Sequence, residues 1–242
     1  MKIEFHPKNE VSKNFPPTPI KFKLPEWYKN LDVNLEMFDS LEDFFSKELP
    51  MTSTPFSIKK CIPVLDYLTS GYMVPFISDI FINPLEADGY KNYTWKSPYG
   101  DTNAVNKDGH PHHQCPVTIN NNKHHYIKFS LQWVIKTPPG YSCLLYQPFY
   151  EFQNNITFLP AIVDTDTYDE CINIIGYINA NKPFMIKAGD PLMAVFPFKR
   201  DEWKMEIKDK IVDIHKSKYF NFSKYKFFGI YKDFFHSKKK YN

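Results

Sequence analysis

The sequence predicts an α+β protein that is predominantly β, with a central antiparallel β-sandwich or barrel between helical ends. Three short apolar segments separated by turn residues support this sheet: WVIKTPPGYSCLLYQPF, ITFLPAIVDTDTYDECINIIGYI and KPFMIKAGDPLMAVFPFKRDEW. Each is too short for a buried helix and is bounded by Pro, Gly or Asp, as strands are. The aromatic fraction of 17% also favours half-buried sheet faces. We therefore expect roughly six to ten strands between Tyr72 and Phe198.

Helices are predicted on both sides of this sheet. Pro25 suits a first helical turn, so a short helix is expected to begin there. A second helix is expected over Asp39–Leu49, and a third, interrupted by proline, over Ile58–Thr69 with Gly71 ending it. Apolar side chains at helical spacing from Met205 to Tyr219 predict a C-terminal helix.

The chain is predicted to divide into three parts. Residues 1–24 carry several prolines that disfavour helix, so they form either a loose tail or an extended arm that packs along its own or a neighbouring subunit. Residues 25–215 form one β-rich domain with helical segments at its N-terminal side. The tail Lys216–Asn242 has eight lysines against one acid, Asp233, and ten interleaved Phe and Tyr residues. Such a tail either packs on a sheet or on a neighbouring subunit, which we favour, or binds single-stranded nucleic acid.

Composition limits the partners and the compartment. A net charge of +3 is too small to indicate a nucleic-acid partner by itself. The first residues contain no apolar segment of signal-peptide length, and no window reaches a membrane-spanning run. We therefore expect neither secretion through a signal peptide nor a membrane partner. The four cysteines are far apart with no CxxC pair, which favours reduced thiols in an intracellular compartment.

Residues 84–125 are polar and weakly periodic, which predicts a long functional loop. It contains five of the eight histidines, among them His110, His112 and His113. Imidazole is a common ligand of zinc and similar metals, and His110 and His112 would share one face of an extended segment. One hypothesis is therefore a metal-dependent β-barrel enzyme of the cupin or oxygenase kind, with a divalent metal completed by a carboxylate from the strands. We favour the alternative that these histidines face solvent or bond carbonyl groups, and we predict no cofactor.

An acidic segment, AIVDTDTYDE, follows a predicted strand and supplies the candidate catalytic residues Asp164, Asp166 and Tyr168. A carboxylate there could activate water, and a neighbouring aromatic face could hold a base. Either acid could also complete the histidine site. The alternative, which we favour, is that the two acids cap turns and the tyrosine packs. The sequence therefore favours a binding or structural protein over an enzyme.

The acidic segment is also loosely similar to the substrate strand of deoxyuridine triphosphatases and deoxycytidine triphosphate deaminases. There an Asp precedes a Tyr that stacks on the base, and a second strand ends in a Gly-Asp turn, to which Gly189-Asp190 corresponds. The resemblance implies a nucleotide-binding module on a dUTPase-like sheet. Asp164 and Tyr168 are one residue further apart than in that motif, and no serine-rich phosphate motif or Gly-rich C-terminal arm is present.

Most of the chain from about residue 25 resembles a group of proteins from tailed phages, cyanophages especially, with distant bacterial relatives. The resemblance lies in PEWYKNL, IKKCIPVLDYLTSGYMVPFISDIFI, AIVDTDTYDECINI and IKAGDPLMAVFPFKRDEWKM. It implies no particular reaction, but a phage-encoded protein of the host bacterial cytoplasm or the virion. Together with the incomplete catalytic set, it predicts a non-catalytic accessory or structural protein. Such a protein would assemble through its termini, with itself or with other phage proteins.

Overall fold

The computed structural model describes residues 1–33, 56–98, 105, 109–119, 121–148, 155–226 and 229–242. The chain divides into two compact units. One, here called the sheet unit, comprises Met1–Ile20 and Gly71–Asp201; the other, the helical unit, comprises Lys21–Ser70 and Glu202–Asn242. The three-part division expected from the sequence is not tested by this grouping and stays a prediction.

The sheet unit contains all strands of the described residues, which confirms the predominantly β class. In chain order the strands are β1 (Glu4–Pro7), β2 (Thr18–Pro19), β3 (Tyr72–Pro75), β4 (Ile80–Ala87), β5 (Tyr90–Lys96), β6 (Thr118–Ile119), β7 (Asn122–His124), β8 (Ile127–Ser130), β9 (Trp133–Lys136), β10 (Tyr141–Tyr146), β11 (Ile156–Phe158), β12 (Ala161–Val163), β13 (Asn173–Ile178), β14 (Phe184–Ile186) and β15 (Pro191–Lys199). One short helix, α1 (Glu10–Lys13), belongs to this unit, and the Asn9 side chain caps it by accepting a hydrogen bond from the backbone N–H of Ser12 at 2.9 Å.

These strands form open sheets. Two sheets have five strands, in the orders β12-β10-β15-β3-β2 and β14-β4-β5-β7-β6; a third has the order β11-β13-β8, and β1 pairs with β9. The pairings are antiparallel except that of β5 with β7, which is parallel. Of the two architectures that the sequence allowed, the described strands thus form open sheets rather than a closed barrel.

One apolar core joins the sheets of this unit. The strands bury alternate residues, as in β13, where Ile174, Gly176 and Ile178 are buried while Asn173 is exposed. Buried side chains from β3, β4, β8, β9, β10, β11, β13, β14 and β15 all enter the same cluster. At its centre Phe129 lies edge-on to two other rings, with centroid distances of 5.4 Å to Phe76 and 5.6 Å to Phe158.

The prediction of a long loop over residues 84–125 was wrong for much of its length. β4 extends to Ala87, and β5 begins at Tyr90 and pairs with it along its whole length. The connection is the dipeptide Asp88-Gly89, in which both residues have positive φ, 54° and 78°. This is the two-residue hairpin turn that matches the twist of the flanking strands. The sequence of β5, YKNYTWK, contains too few aliphatic residues for its two-residue period to be evident.

The helical unit contains α2 (Glu26–Asn30), α3 (Ile62–Thr69) and α4 (Lys218–Ser223). The helix predicted from Pro25 is confirmed as α2, and the one ended by Gly71 is confirmed as α3, preceded by a 3₁₀ turn. The helix predicted over Asp39–Leu49 lies outside the described residues. None of the helices in the described chain is long and apolar enough to span a bilayer.

The helix predicted from Met205 to Tyr219 was wrong. Residues 202–213 form neither helix nor strand, and helical structure begins only with a 3₁₀ turn at Ile214–Lys216. The segment WKMEIK alternates apolar and charged residues with a period of two, which favours an extended conformation. The same residues therefore fit two periods, and the two-residue period of a strand describes them better than the 3.6-residue period of a helix.

Substitution of Gly71 by alanine should destabilise the sheet unit strongly. Gly71 has a φ of +89°, and a Cβ atom there would lie 2.5 Å from the carbonyl oxygen of Val195. We expect a loss of roughly 1–2 kcal/mol from the left-handed backbone, and about 1–3 kcal/mol more from the overlap. Urea unfolding measures the difference.

Gly89→Ala is the matched control, since Gly89 also has a positive φ, +78°, but a Cβ there meets no atom within 4 Å. It should show only the backbone part of the loss. Equal losses in the two variants would contradict the assigned contact with Val195.

Candidate functional site

The acidic segment forms a tight turn after β12. The backbone N–H groups of Thr167 and Tyr168 both donate to the carbonyl oxygen of Asp164, at 3.1 and 2.9 Å. The Asp164 side chain is 62% exposed and the Tyr168 residue is 42% exposed, so both reach solvent from one turn. The Tyr168 carbonyl oxygen accepts a hydrogen bond from Lys136 Nζ at 3.0 Å, which fixes the end of the turn.

Arg200, the residue after β15, joins the two predicted catalytic acids. Its Nη1 lies 3.1 Å from Asp164 Oδ1 and 2.9 Å from Asp166 Oδ1, and its Nη2 forms an ion pair with Asp166 Oδ2. The same Nη1 also approaches the hydroxyl oxygen of Ser142 at 3.0 Å and the carbonyl oxygen of Tyr141 at 3.1 Å. The guanidinium fork thus engages one carboxylate in the bidentate arrangement that gives its strongest pairs.

Donors at the start of β10 complete this network. The Gly140 backbone N–H donates to Asp166 Oδ2 at 2.8 Å, and the Ser142 hydroxyl donates to Asp164 Oδ1 at 2.6 Å. The Arg200 backbone N–H in turn donates to the Gly140 carbonyl oxygen at 2.8 Å. Both acids therefore hold the turn to the residues that flank β10 and β15.

The network keeps Asp166 ionised. The hydrogen bond from Arg200 is the largest cause that holds the pKa of Asp166 at about 2, against an ordinary value of 3.8. A carboxylate with so low a pKa is a weak base near neutral pH, because general bases work best with a pKa near the operating pH. The arrangement resembles a structural ion pair more closely than a water-activating group, and the catalytic role of Asp164, Asp166 and Tyr168 stays a prediction.

Beneath this turn lies a buried hydroxyl–thiol group. Thr165 is fully buried, with its Oγ1 2.8 Å from Thr137 Oγ1, and it donates to Cys143 Sγ at 3.3 Å. Burial raises the pKa of the Cys143 thiol, which disfavours the reactive thiolate. All four cysteines are free thiols, as the sequence predicted.

The histidine segment lies beside β5 and β7. His110 and Tyr126 exchange backbone hydrogen bonds of 2.9 and 2.7 Å, and His112–Gln114 form a single 3₁₀ turn. His110 and His112 therefore do not follow one another along a strand, because the chain bends after Pro111. His113 is exposed. Within the described residues no group of three or more His, Cys, Asp or Glu side chains is placed to hold a metal ion, and metal binding here stays a prediction.

Hydrogen bonding fixes the tautomer of His125. Its Nδ1 lies 3.1 Å from the backbone nitrogen of His112, which can only donate. The Nδ1 atom must therefore be unprotonated, and the ring proton resides on Nε2. The ring stacks on Tyr90, with the centroids 4.9 Å apart and the planes at 22°.

Two other imidazoles have a nitrogen that is buried without a partner in the structure. These atoms are Nδ1 of His112 and Nδ1 of His124. Burial is the main cause that lowers the pKa of His124, and the positive charges of Lys91 and His112 act in the same direction. The His124 ring packs against Tyr177 at 5.1 Å. A neutral, packed imidazole at position 124 follows from these surroundings.

A cavity of about 490 Å³ opens next to this segment. It is lined by Asn92, Tyr93, Thr94, Trp95, Gly109, His110, Pro111, His125 and Tyr126. The Tyr93 hydroxyl donates to the Tyr126 carbonyl oxygen at 3.1 Å, and burial raises the pKa of Tyr93 to about 12, so this phenol stays protonated. The lining contains aromatic rings and amide or hydroxyl groups but no carboxylate, ammonium or guanidinium group. The sequence analysis did not assign β5 to a site, although its sequence YKNYTWK contains three aromatic residues.

Residues 202–213, here called the C-terminal arm, expose large apolar side chains. The exposed fractions are 88% for Trp203, 89% for Met205, 80% for Ile207, 91% for Ile211 and 77% for Val212. The arm belongs to no strand of the described sheets. The apolar side chains of the arm do not belong to the described core clusters.

The tail after the arm is anchored within the helical unit. Asp66 of α3 accepts from His236 Nε2 at 3.0 Å and from Lys239 Nζ at 2.6 Å. The rings of Phe222 and Phe234 stack with their centroids 4.0 Å apart. Part of the predicted basic aromatic tail therefore packs on its own chain.

Comparisons with known proteins give limited information. No protein-family model matches the chain, and no curated protein matches it. Among solved structures, a dUTPase variant from phage phi11 of S. aureus is 9% identical with a TM-score of 0.39, covering 88% of this chain and 100% of that one. A dUTPase variant of Staphylococcus bacteriophage 80alpha with dUpNHpp is 7% identical with a TM-score of 0.39, covering 90% of this chain and 95% of that one. The native EIAV dUTPase is 12% identical with a TM-score of 0.32, covering 59% of this chain and 87% of that one. Likeness at this level assigns no activity.

Asp166→Asn should lower the free energy of unfolding at neutral pH and flatten its dependence on pH in acid. Folding depresses the pKa of Asp166 from 3.8 to about 2, so its contribution is complete above about pH 4 and is lost as the pH falls toward 2. Urea unfolding of wild type and variant between pH 2 and pH 7 measures this. The two curves should converge at the acidic end.

Asp169→Asn is the control, because Asp169 is an exposed acid of the same segment with no hydrogen bond or ion pair to the described residues. It should leave the curve close to that of the wild type. Parallel curves for wild type and Asp166→Asn at every pH would show that Arg200 does not hold this carboxylate.

Proposed function

We propose that this protein is a phage-encoded, non-catalytic accessory or structural protein that assembles through its C-terminal arm, with a second copy of the same chain as the partner. One observation carries the proposal: the arm presents Trp203, Met205 and Ile207 at alternate positions, each at least 80% exposed. Contiguous exposed apolar side chains of this kind mark interaction sites.

The energetics support association. Burial of one large apolar side chain contributes about 1.5–3 kcal/mol, so the five exposed side chains of the arm represent on the order of 10 kcal/mol not realised in a single copy. The loss of translational and rotational freedom on association costs roughly 4–15 kcal/mol. The two free energies are of similar size, so we expect an oligomer whose formation depends on concentration.

The state of the candidate catalytic groups also favours a non-catalytic role. Arg200 engages both Asp164 and Asp166, and burial disfavours the thiolate of Cys143. These groups stabilise the turn and the core beneath it. A binding or structural role requires nothing more of them.

The sequence resemblance to tailed-phage proteins supports the place of action, which we propose to be the host bacterial cytoplasm or the virion. Other phage proteins are further partners of the arm. Single-stranded nucleic acid is a further partner of the tail, since Tyr219 and Tyr225 are 54% and 90% exposed among its lysines.

Replacement of the apolar face of the arm should dissociate the protein. In the triple variant Trp203→Ser, Met205→Ser and Ile207→Ser, sedimentation should change from an oligomer to a monomer while the sheet unit stays folded, because the arm lies outside the sheets. Analytical ultracentrifugation over a hundredfold concentration range measures this.

Ile162→Ser is the matched control, since Ile162 is a 66% exposed apolar residue of an edge strand outside the arm. It should leave the oligomer intact. A wild-type protein that remains monomeric over the whole range would refute the proposal.

A second candidate function, nucleotide binding on a dUTPase-like sheet, is favoured by the cavity. Its wall includes the aromatic residues Tyr93 and Trp95, together with the apolar and hydrogen-bonding groups that a planar base requires. His125 also lines this cavity, and its Nε2–H group is a hydrogen-bond donor. The exposed ring of Tyr168, on the acidic turn, is the other possible platform for a base.

Two variants separate these platforms. If the cavity binds the base, Thr94→Phe, which fills it from an exposed position, should abolish the thermal shift and calorimetric signal given by dUMP, dCMP or dAMP, whereas Tyr168→Ala should not. The opposite result would assign the base to the acidic turn. No signal from the wild type with any of the three nucleotides would eliminate this candidate.

A further inference from the structure

We infer that two arms pair with each other as antiparallel strands, centred on Met205 of each copy. The inference rests on the proposed self-assembly and adds the geometry of the contact. A second copy of this chain is thus the occupant of the exposed apolar face of the arm. The pairing involves residues 202–208.

As a strand, these seven residues would have one apolar face and one charged face. In an extended chain successive side chains point to opposite faces. Trp203, Met205 and Ile207 therefore share one face, and the charged residues of the segment share the other. The ion pair between Glu206 and Lys208, two residues apart, agrees with this placement.

A two-fold axis through Met205 makes the segment complementary to itself. Two-fold symmetry places residues at equal distances before and after Met205 opposite each other. Trp203 then faces Ile207 of the other copy. On the opposite face Lys204 meets Glu206, and Glu202 meets Lys208, each pair twice per dimer. Every charged side chain thereby opposes one of the other sign, and opposite charges across a strand pair are favourable.

Neighbouring registers lack this complementarity. Centring the axis on Lys204 or Glu206 places like charges opposite each other, as does a parallel, in-register pair. A shift of the axis by half a residue faces charged side chains with apolar ones, because it exchanges the two faces of one strand. Charge and hydrophobicity thus select one register.

The pairing also has defined ends. The next residues outward, Asp201 and Asp209, would oppose each other with like charge. Asp201 is already paired with Lys199 of its own chain at 2.7 Å. The strand pair therefore ends at Glu202 and Lys208.

Cysteine cross-linking tests the register. In a Cys61→Ser background, which removes the exposed thiol, an equal mixture of the Trp203→Cys and Ile207→Cys proteins should form a mixed disulfide dimer on mild oxidation. Met205→Cys should cross-link with itself. Preferential self-cross-linking of Trp203→Cys would overturn the antiparallel arrangement.

Charge exchange tests the complementarity. Lys204→Glu should weaken the dimer by about tenfold in Kd, because it places like charges opposite each other at two symmetric sites. The double variant Lys204→Glu with Glu206→Lys should restore the wild-type Kd, whereas equal weakening in both would overturn the pairing. Melting temperatures confirm that each variant is folded.

The two proposals fail differently. A wild type that is monomeric by ultracentrifugation refutes assembly and the register with it. A wild-type dimer that dissociates on removal of the apolar face, but shows neither the mixed cross-link nor the charge rescue, keeps assembly and refutes the register.

Discussion

The two-residue alternation of side chains is the constraint on which the structure depends. Wherever a strand of the sheet unit has one face toward the common core, its apolar residues fill that face, as in β13 and around Phe129. The same alternation continues in the C-terminal arm, where no core is available to receive it. The proposed assembly would thus use the same pattern as folding, satisfied between chains rather than within the chain.

The amino-acid sequence predicted the fold class and the short helices α2 and α3, because apolar runs and turn residues are local signals. It did not predict β5, since a strand with lysine, asparagine and aromatic residues lacks a clear hydrophobic period, although Asp88-Gly89 is a strong hairpin signal. It also favoured a helix for the arm, where two periodicities overlapped. The helical spacing extends over the fifteen residues from Met205 to Tyr219, whereas the two-residue alternation is confined to the six residues from Trp203 to Lys208.

The candidate site shows the same limit. Asp164, Asp166 and Tyr168 were identified from the sequence, and the choice between a catalytic role and the alternative that the acids cap turns stays a prediction. Arg200 could not be assigned to them, because it is 34 residues from Asp166 in sequence and reaches it only through the pairing of β10 with β15. The cavity was missed for a related reason: its wall combines β5 with the histidine segment, and neither reveals a concave surface by itself.

The position of Arg200 has a mechanical consequence. Arg200 lies two residues before Glu202, where the arm begins, and its guanidinium group ties the end of β15 to the acidic turn. In the proposed assembly, tension on the arm would reach this ion pair before it reached the hydrogen bonds of β15. The ion pair would then bear the load first and protect β15 from separation from its sheet.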